Sequence, residues 1–340
     1  MTANGPGAGS LGSSAEPLDR RYDLAMLDLD GVVYVGPDAV PGAPGHVSAA
    51  REAGMRIAFI TNNASRPPGA VAEHLRQLGV DAGPDDVVTS AQAAARVLRD
   101  RVGVGGRVVV LGGGGLVEAV AEAGLVRVGV EDDADAVVTG YGPDVLWGQI
   151  MRAAVRIKEG LWWVASNTDL TFPTTFGVAP GHGVLVDTLR RFTGVEPVVA
   201  GKPARPLLDE TIRRCGGERP LMVGDRLDTD IEGARAAGID ALLVMTGVTG
   251  LADLVAARPE LRPTYVAADL SGLDESQPEP EVSGEEVSLG GWRGRVDAGS
   301  LSIEGAGQLS DWWRVAAVVG WRHLDEVGEP VASDGAIPPG

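Results

Sequence analysis

The sequence predicts an α/β protein with a doubly wound, mostly parallel sheet, an inserted α/β domain and a small C-terminal extension. Short runs rich in Val, Ile and Leu alternate with helical stretches, which is typical of a parallel sheet covered by helices on both faces. Several helical stretches end in glycine, as at Gly54 and Gly79, which suits the left-handed position that follows a helix. The regular spacing is interrupted between residues 80 and 197, where the insert is expected.

The first domain is predicted to be discontinuous and to cover residues 20–85 and 197–272. Residues 1–20 are rich in Gly, Ser, Ala and Pro without an apolar core, so we expect a disordered tail and not a signal peptide. The predicted core strands are 24–29, 56–61, 197–200, 220–224, 241–245 and 264–267. The predicted core helices are 45–53, 67–78, 204–214, 230–237 and 250–257.

The insert is assigned to residues 86–196. It has apolar runs of its own at 107–111, 136–139 and 162–165, and helical patterns at 90–99, 115–123, 143–158 and 183–192. Residues 274–286 are rich in Pro, Glu and Ser and predict a linker. The extension at 287–340 then contains a strand or hairpin at 292–304 and a helix at 310–325.

Composition excludes several classes of function. The chain has 340 residues, of which 44% are hydrophobic, so it can bury a sizeable core. Its net charge of −18 argues against nucleic acid as a partner, because phosphate backbones select basic surfaces. No apolar run is long enough to predict a membrane span. The single Cys215 excludes an internal disulfide framework and favours the cytoplasm.

Polar residues follow four of the predicted core strands. The strand ends carry Asp28 and Asp30, then Thr61-Asn62-Asn63, then Gly201-Lys202-Pro203, and finally Gly224-Asp225 with Asp228 and Asp230 beyond. Parallel strands place their carboxyl ends at one edge of a sheet, and open α/β sheets bind ligands there. Two carboxylates as close as Asp28 and Asp30 repel each other unless a cation lies between them, and a divalent metal suits oxygen ligands.

Phosphoryl transfer through a carboxylate needs this set of groups. We predict that Asp28 attacks phosphorus and forms an aspartyl-phosphate, which divides one difficult displacement into two easier ones. Mg²⁺ held by Asp28 and Asp225, together with the Lys202 ammonium, would neutralise the phosphate. The Thr61 hydroxyl would bind a phosphate oxygen, and Asp30 would act as general acid and base.

These four segments resemble the motifs of the haloacid dehalogenase superfamily, in particular its small-molecule phosphatases with a large cap inserted after the second motif. This branch includes phosphatases of phosphoglycolate, glycerol phosphate, pyridoxal phosphate and nitrophenyl phosphate. The similarity covers about residues 20–270. It implies that Asp28 is the nucleophile and Asp30 the acid/base. The second acid at position 30 favours a phosphatase over the dehalogenase branch.

The resemblance also extends the predicted site. The metal ligands are expected to be Asp28, Asp30 and Asp225, and the phosphate ligands Thr61, Asn62 and Lys202. Asp230 is expected to hold a metal-bound water or Lys202, with a charge at a helix N-terminus as the alternative, and Asp228 to cap a helix or face solvent. In the resembled family the cap closes over the leaving group and selects it. The candidates for that contact are Asn167, Asp169 and His182, although ordinary loop polarity is the alternative for each.

The sequence therefore predicts a cytoplasmic, Mg²⁺-dependent phosphatase of small phosphomonoesters. The resemblance places glycerol 3-phosphate and 2-phosphoglycolate first among substrates. A phosphotransferase or phosphomutase with the same aspartyl-phosphate stays open, as does a catalytically silent phosphometabolite-binding protein. A homodimer through the cap or the extension is a further expectation. The glycine run at 112–115 does not fit the spacing of a dinucleotide-binding loop and is interpreted as a turn between a strand and a helix.

Overall fold

A computed structural model describes residues 11–174 and 177–339. The strands are β1 (Leu24–Leu27), β2 (Tyr34–Val35), β3 (Asp38–Ala39), β4 (Arg56–Thr61), β5 (Val87–Thr89), β6 (Arg107–Leu111), β7 (Val126–Val128), β8 (Ala136–Thr139), β9 (Trp162–Ala165), β10 (Thr171–Thr174), β11 (Gly177–Pro180), β12 (Val198–Val199), β13 (Pro220–Gly224), β14 (Asp240–Val244), β15 (Tyr265–Ala267), β16 (Glu281–Ser283), β17 (Glu286–Leu289), β18 (Trp292–Asp297) and β19 (Ser300–Gly305).

The α-helices are α1 (Leu18–Arg21), α2 (Ala43–Glu52), α3 (Pro68–Gln77), α4 (Ser90–Val102), α5 (Gly114–Glu122), α6 (Trp147–Lys158), α7 (His182–Thr193), α8 (Pro206–Cys215), α9 (Glu232–Ala237), α10 (Leu251–Val255) and α11 (Leu309–Val327). Most of the predicted helices lie within three residues of these bounds at each end. None of the helices between residues 11 and 339 that the structure describes combines the length and apolar character needed to cross a bilayer.

The chain forms two compact units. Of the described residues, the first contains 11–57, 78–81 and 217–339, and the second contains 58–77, 82–174 and 177–216. This division differs from the predicted one, since residues 197–216 lie in the second unit together with the predicted insert, and the C-terminal extension lies in the first.

Parallel pairing organises the first unit. Strands β15, β14, β13 and β1 are neighbours in that order, and β1 is in register with β13 from Leu24 opposite Pro220 to Leu27 opposite Val223. All four residues of β1 are buried, as expected for a strand covered on both faces. The apolar runs that predicted this sheet are therefore its central strands.

The C-terminal extension packs onto the same unit. Strands β16 to β19 form an antiparallel sheet in sequence order, and α11 contacts β15, β17, β18 and α10. Arg314 in α11 is buried and donates hydrogen bonds to Val266 O (3.0 Å), to Asp311 Oδ1 (2.9 Å) and to Gln277 Oε1 (2.6 Å). A buried guanidinium needs such partners, so these contacts fix the helix on the core.

Two predicted boundaries have to be corrected here. The predicted linker 274–286 contains β16 and the buried Gln277, so it is part of the folded unit. The predicted disordered tail has to be shortened, because residues 11–20 are also folded: the Gly12 amide donates to Thr264 O (2.7 Å) and the Ser14 amide to Gln277 O (2.8 Å). Residues 1–10 lie outside the described part of the chain. Backbone pairing with a later segment leaves no apolar signature, which is why composition alone suggested disorder.

The second unit contains a five-stranded parallel sheet in the order β12-β9-β8-β6-β7 and a parallel pair of β4 with β5. Strand 197–200 was predicted for the first domain, but the observed β12 pairs with β9, with Val199 opposite Ala165. Its two-residue pairing is determined by long-range contacts that a short apolar run does not encode. The core of this sheet is aliphatic with the buried Trp163.

Candidate active site

Asp28 and Asp225 leave neighbouring parallel strands at the same edge. The Asp28 amide donates to Val223 O (2.9 Å), so Asp28 continues the pairing of β1 with β13. Asp225 follows Gly224, the last residue of β13, and is fully buried. The structure therefore brings these two predicted site residues together at the carboxyl edge, where open α/β sheets bind ligands.

Asp230 returns to the same place through a π-helical turn over Leu227–Ile231. The Arg226 amide donates to Asp230 Oδ2 (3.1 Å), and a Cβ atom added at Gly224 would lie 2.3 Å from Asp230 Cβ. Only glycine leaves room for this approach. Wide helical turns of this kind are frequent at functional sites. Asp228, in contrast, is 64% exposed and pairs with Arg226, so it faces solvent.

Carboxylate oxygens of Asp28, Asp225 and Asp230 all lie within 4.8 Å of one another. We call these three residues the aspartate cluster. Asp225 and Asp230 are fully buried, and like charges so close in a poorly hydrated place repel each other strongly. An oxygen-rich, anionic donor set is the kind that binds Mg²⁺ or Ca²⁺. Asp30 is exposed and lies outside this cluster, so its role as a metal ligand stays a prediction.

The residues that pack around the Asp225 carboxylate were not predicted from the sequence. The Val248 amide donates to Asp225 Oδ2 (2.7 Å), and an added Cβ at Gly31 or at Gly247 would lie 2.5 Å or 2.0 Å from the same oxygen. Gly31 also has φ +84°, which disfavours any side chain. Gly31, Gly247 and Val248 contribute backbone atoms and free space but no reactive side chain. The only sign of this environment in the sequence is the glycine at 247, shortly after the predicted strand 241–245.

Gly247→Ala is expected to weaken divalent-metal binding. The added methyl group would displace the buried Asp225 carboxylate from the cluster, since Cβ, Cγ and Oδ2 of Asp225 all lie within 2.7 Å of it. Overpacking of this kind costs about 1–3 kcal/mol, which corresponds to roughly a 5- to 150-fold weaker affinity. Titration calorimetry with Mg²⁺ measures the change.

Gly69→Ala is the matched control for this substitution. Gly69 lies in α3 with nothing within 4 Å of an added Cβ, so alanine there should stabilise the helix by up to about 1 kcal/mol and leave Mg²⁺ affinity unchanged. Equal Mg²⁺ affinities in the two variants would show that the Gly247 contact does not hold Asp225 in place.

The second unit carries the other predicted residues. Thr61 ends β4 and is buried, and its Oγ1 accepts a hydrogen bond from the Asn63 amide (3.1 Å). Lys202 follows β12 and is 2% exposed. Asn167 and Asp169 follow β9, the partner strand of β12. Asn167, Asp169 and Lys202 thus follow two neighbouring strands at the carboxyl edge of the five-stranded sheet.

Asn62 links this group. Its Nδ2 donates to Asp169 Oδ1 (3.0 Å) and to Lys202 O (3.0 Å), and its Oδ1 accepts from the Lys202 amide (2.8 Å). Its main-chain oxygen accepts from Asn167 Nδ2 (2.7 Å) and from Ser90 Oγ (2.6 Å). We call Asn62, Asn167, Asp169 and Lys202 the Asn62 network, whereas Ser90 contacts only the main chain of Asn62. The structure therefore places Asn62, Asn167, Asp169 and Lys202 together.

His182 is placed differently from these candidates. It begins α7, and its buried ring has Nε2 3.2 Å from Thr139 Oγ1. The same hydroxyl oxygen accepts a hydrogen bond from Trp163 Nε1 (3.0 Å). Burial lowers the pKa of His182 to about 4, so the imidazole is neutral at pH 7. This environment supports a structural role in the second unit, and contact with a leaving group stays a prediction.

The glycine run at 112–115 contributes packing. The Gly113 amide donates to Tyr141 O (2.9 Å) and the Gly115 amide to Ser65 O (2.9 Å), so neither is available to a phosphate. An added Cβ at Gly115 would lie 2.6 Å from Arg66 O. The run lets the loop after β6 pass close to the backbone at 65–66, in agreement with its interpretation as a strand–helix turn.

Comparison with known families gives two matches along the chain. A haloacid dehalogenase-like hydrolase family model matches residues 25–126, and a HAD-hydrolase-like model matches residues 199–273. The first match includes Asp28 and Thr61, and the second includes Lys202, Asp225 and Asp230.

Individual relatives agree with these matches. The D-glycerol 3-phosphate phosphatase of Mycobacterium tuberculosis is 42% identical over 293 residues, which are 86% of this chain and 81% of the relative. The acid sugar phosphatase of Staphylococcus aureus is 34% identical over 254 residues, which are 74% of this chain and 96% of the relative. A crystal structure of glycerol phosphate phosphatase from M. tuberculosis in complex with magnesium superimposes with a TM-score of 0.82 at 39% identity and covers 94% of this chain and 96% of that one.

Proposed function

Because the chain belongs to the haloacid dehalogenase-like hydrolases and is a phosphomonoester hydrolase, we propose that it is a Mg²⁺-dependent phosphatase whose substrate is glycerol phosphate. The aspartate cluster is the observation that carries this proposal. It supplies a candidate nucleophile, Asp28, beside two buried carboxylates that suit a divalent cation. 2-Phosphoglycolate is the next candidate substrate, from the family resemblance.

The C-terminal extension favours glycerol phosphate over other small phosphoesters. The magnesium complex of the glycerol phosphate phosphatase matches 94% of this chain, and the unmatched remainder is shorter than the extension at 287–340. The acid sugar phosphatase, although matched over 96% of its own length, covers only 74% of this chain. At least part of the extension is thus shared with the glycerol phosphate phosphatase.

The proposed reaction has two displacements at phosphorus. In the first, an oxygen of Asp28 bonds to phosphorus as the bond from phosphorus to the ester oxygen breaks, and Asp30 gives its proton to the departing alkoxide. In the second, Asp30 takes a proton from water, the water oxygen bonds to phosphorus, and the bond from phosphorus to Asp28 breaks. Inorganic phosphate leaves and Asp28 is regenerated.

The aspartate cluster fits the metal. Asp28, Asp225 and Asp230 would hold it, with Asp30 as a further predicted ligand. Asp230 was expected to act through water or through Lys202, and its oxygen lies within the same 4.8 Å limit as the others. When bound, Mg²⁺ supplies positive charge that offsets the repulsion between a carboxylate and a phosphate.

Thr61 and Lys202 are proposed to bind the phosphate oxygens. The Thr61 hydroxyl accepts from the Asn63 amide, so its own hydrogen remains for donation to a phosphate oxygen. Lys202 supplies an ammonium, a compact charge suited to a phosphate. Asn167, Asp169 and His182 remain the proposed contacts to the leaving group.

A substrate panel tests the proposal. The purified chain should release inorganic phosphate from glycerol 3-phosphate faster than from 2-phosphoglycolate or nitrophenyl phosphate, and chelation of Mg²⁺ should stop all three reactions. Transfer of the phosphoryl group to glycerol or a sugar, seen as product without free phosphate, would instead support a phosphotransferase. Binding of the esters without turnover would support a silent binding protein.

We also propose a homodimer and a cytoplasmic location. Trp147, Met151 and Phe192, on α6 and α7 of the predicted cap, are each more than half exposed, which supports a homodimer through this unit. Sedimentation velocity would test it. The single Cys215 supports the cytoplasm, a location that fractionation of cells would test.

A further inference from the structure

Asn62 was predicted to be a phosphate ligand, but its side chain is already committed. The Lys202 amide can only donate, so the atom that it contacts must be the Asn62 carbonyl oxygen, and the amide orientation is fixed. Both Nδ2 hydrogens then point at acceptors, Lys202 O and Asp169 Oδ1. A phosphate needs hydrogen-bond donors, and this side chain has none left to offer.

The contact with Lys202 is a two-point clamp. Asn62 binds both the amide and the carbonyl of Lys202 and so fixes the plane and direction of its main chain. An added Cβ at Gly201 would lie 2.6 Å from Asn62 Oδ1 and 2.7 Å from Ser166 O. The main chain before Lys202 therefore lies so close to Asn62 and Ser166 that only glycine fits at position 201.

We propose that Asn62 is a positioning residue, which holds Lys202 for phosphate binding by clamping its main chain and links it to Asp169. The proposal rests on the proposed function, since it concerns the same reaction. A lysine ammonium lies at the end of four rotatable bonds, so its placement depends on where its Cα atom is held. Displacements of about 1 Å at such groups can reduce turnover about a hundredfold.

The same residue links two chain segments. Its main-chain oxygen accepts from Asn167, and its side chain binds Asp169 and Lys202, so the loop after β9 and the loop after β12 are both held by Asn62. A change at Asp169 should therefore reach Lys202 through Asn62.

Asn62→Ala tests the clamp, and Ser90→Ala is the matched control. Both variants lose part-buried hydrogen bonds of Asn62, but Ser90 contacts only the main-chain oxygen of Asn62 and leaves the Lys202 contacts intact. With Mg²⁺ and glycerol 3-phosphate, Asn62→Ala should lower kcat about 10- to 100-fold. Ser90→Ala should lower the melting temperature while kcat stays within about twofold of the wild type, since an ordinary hydrogen bond contributes only modestly.

A double-substitution cycle separates positioning from direct phosphate binding. If Asn62 acts through Lys202, then Asn62→Ala should cause no further loss of turnover in a chain that already carries Lys202→Ala. Single-turnover assays at high enzyme concentration measure this residual activity. A further loss of tenfold or more in the double variant would identify Asn62 as a direct ligand and overturn the proposal.

Two other results would also overturn it: near-normal kcat in Asn62→Ala, or equal kcat losses in Asn62→Ala and Ser90→Ala. An inactive wild-type chain would instead refute the proposed function. In that case the clamp is tested by calorimetry with inorganic phosphate, which should bind more weakly to Asn62→Ala and equally weakly to Lys202→Ala and to the double variant. Additive losses of phosphate affinity would overturn the proposal there too.

Discussion

Asp28→Asn is expected to abolish phosphate release and to leave the fold intact. The carboxamide has nearly the same shape, so the pairing of β1 with β13 through the Asp28 amide should persist. However, it lacks the anionic oxygen that would bond to phosphorus. Loss of a nucleophile costs many orders of magnitude, so we expect at least about a thousandfold lower kcat with glycerol 3-phosphate.

Asp228→Asn is the control for this substitution. Asp228 belongs to the same sequence motif as Asp225, but it is exposed and its carboxylate pairs with Arg226. An exposed ion pair contributes little, so kcat should stay within about twofold of the wild type. Substantial turnover by Asp28→Asn, with several phosphoesters, would exclude the aspartyl-phosphate mechanism.

The central strands and the aspartates at their ends could be predicted because both leave strong local signals. β1 and β13 are continuous apolar runs, and Asp28 and Asp225 follow them directly. Short or exposed strands left no such signal: all three residues of β16 are exposed, and the segment was predicted to be a linker. A strand that is buried on both faces is a continuous apolar run, which can be recognised in the sequence. Whether an exposed edge segment forms a strand depends on the strands with which it pairs.

The surroundings of the site were less predictable. Gly247 and Val248 act on Asp225 through a missing side chain and a backbone amide, which any loop possesses. Asn62 was identified as a polar residue at a strand end, but its side-chain partners Asp169 and Lys202, which follow β9 and β12, are more than 100 residues away in sequence. The residue type suggested a hydrogen-bonding role, and only the three-dimensional contacts indicate which role.

Asp225→Asn should weaken Mg²⁺ binding by about tenfold or more, and the Mg²⁺ concentration needed for half-maximal activity should rise accordingly. The amide keeps an oxygen that can accept from Val248, so the local backbone is preserved. It removes one negative charge from three carboxylates within 4.8 Å of one another. Ligand charge is a main determinant of divalent-cation affinity, and a tenfold change requires only about 1.4 kcal/mol.

Asp240→Asn separates this effect from the general effect of removing an acid in the same sheet. Asp240 begins β14, at the amino edge opposite the aspartate cluster, and accepts from Tyr22 (2.7 Å) and Thr264 (3.0 Å). Its substitution should lower the melting temperature without changing Mg²⁺ affinity, because its charge lies across the length of the sheet from the cluster. Calorimetric titration with Mg²⁺ compares the two variants. If Asp225→Asn binds Mg²⁺ as tightly as Asp240→Asn, the Asp225 carboxylate is not a metal ligand. Another anionic group must then supply the charge that a divalent cation needs.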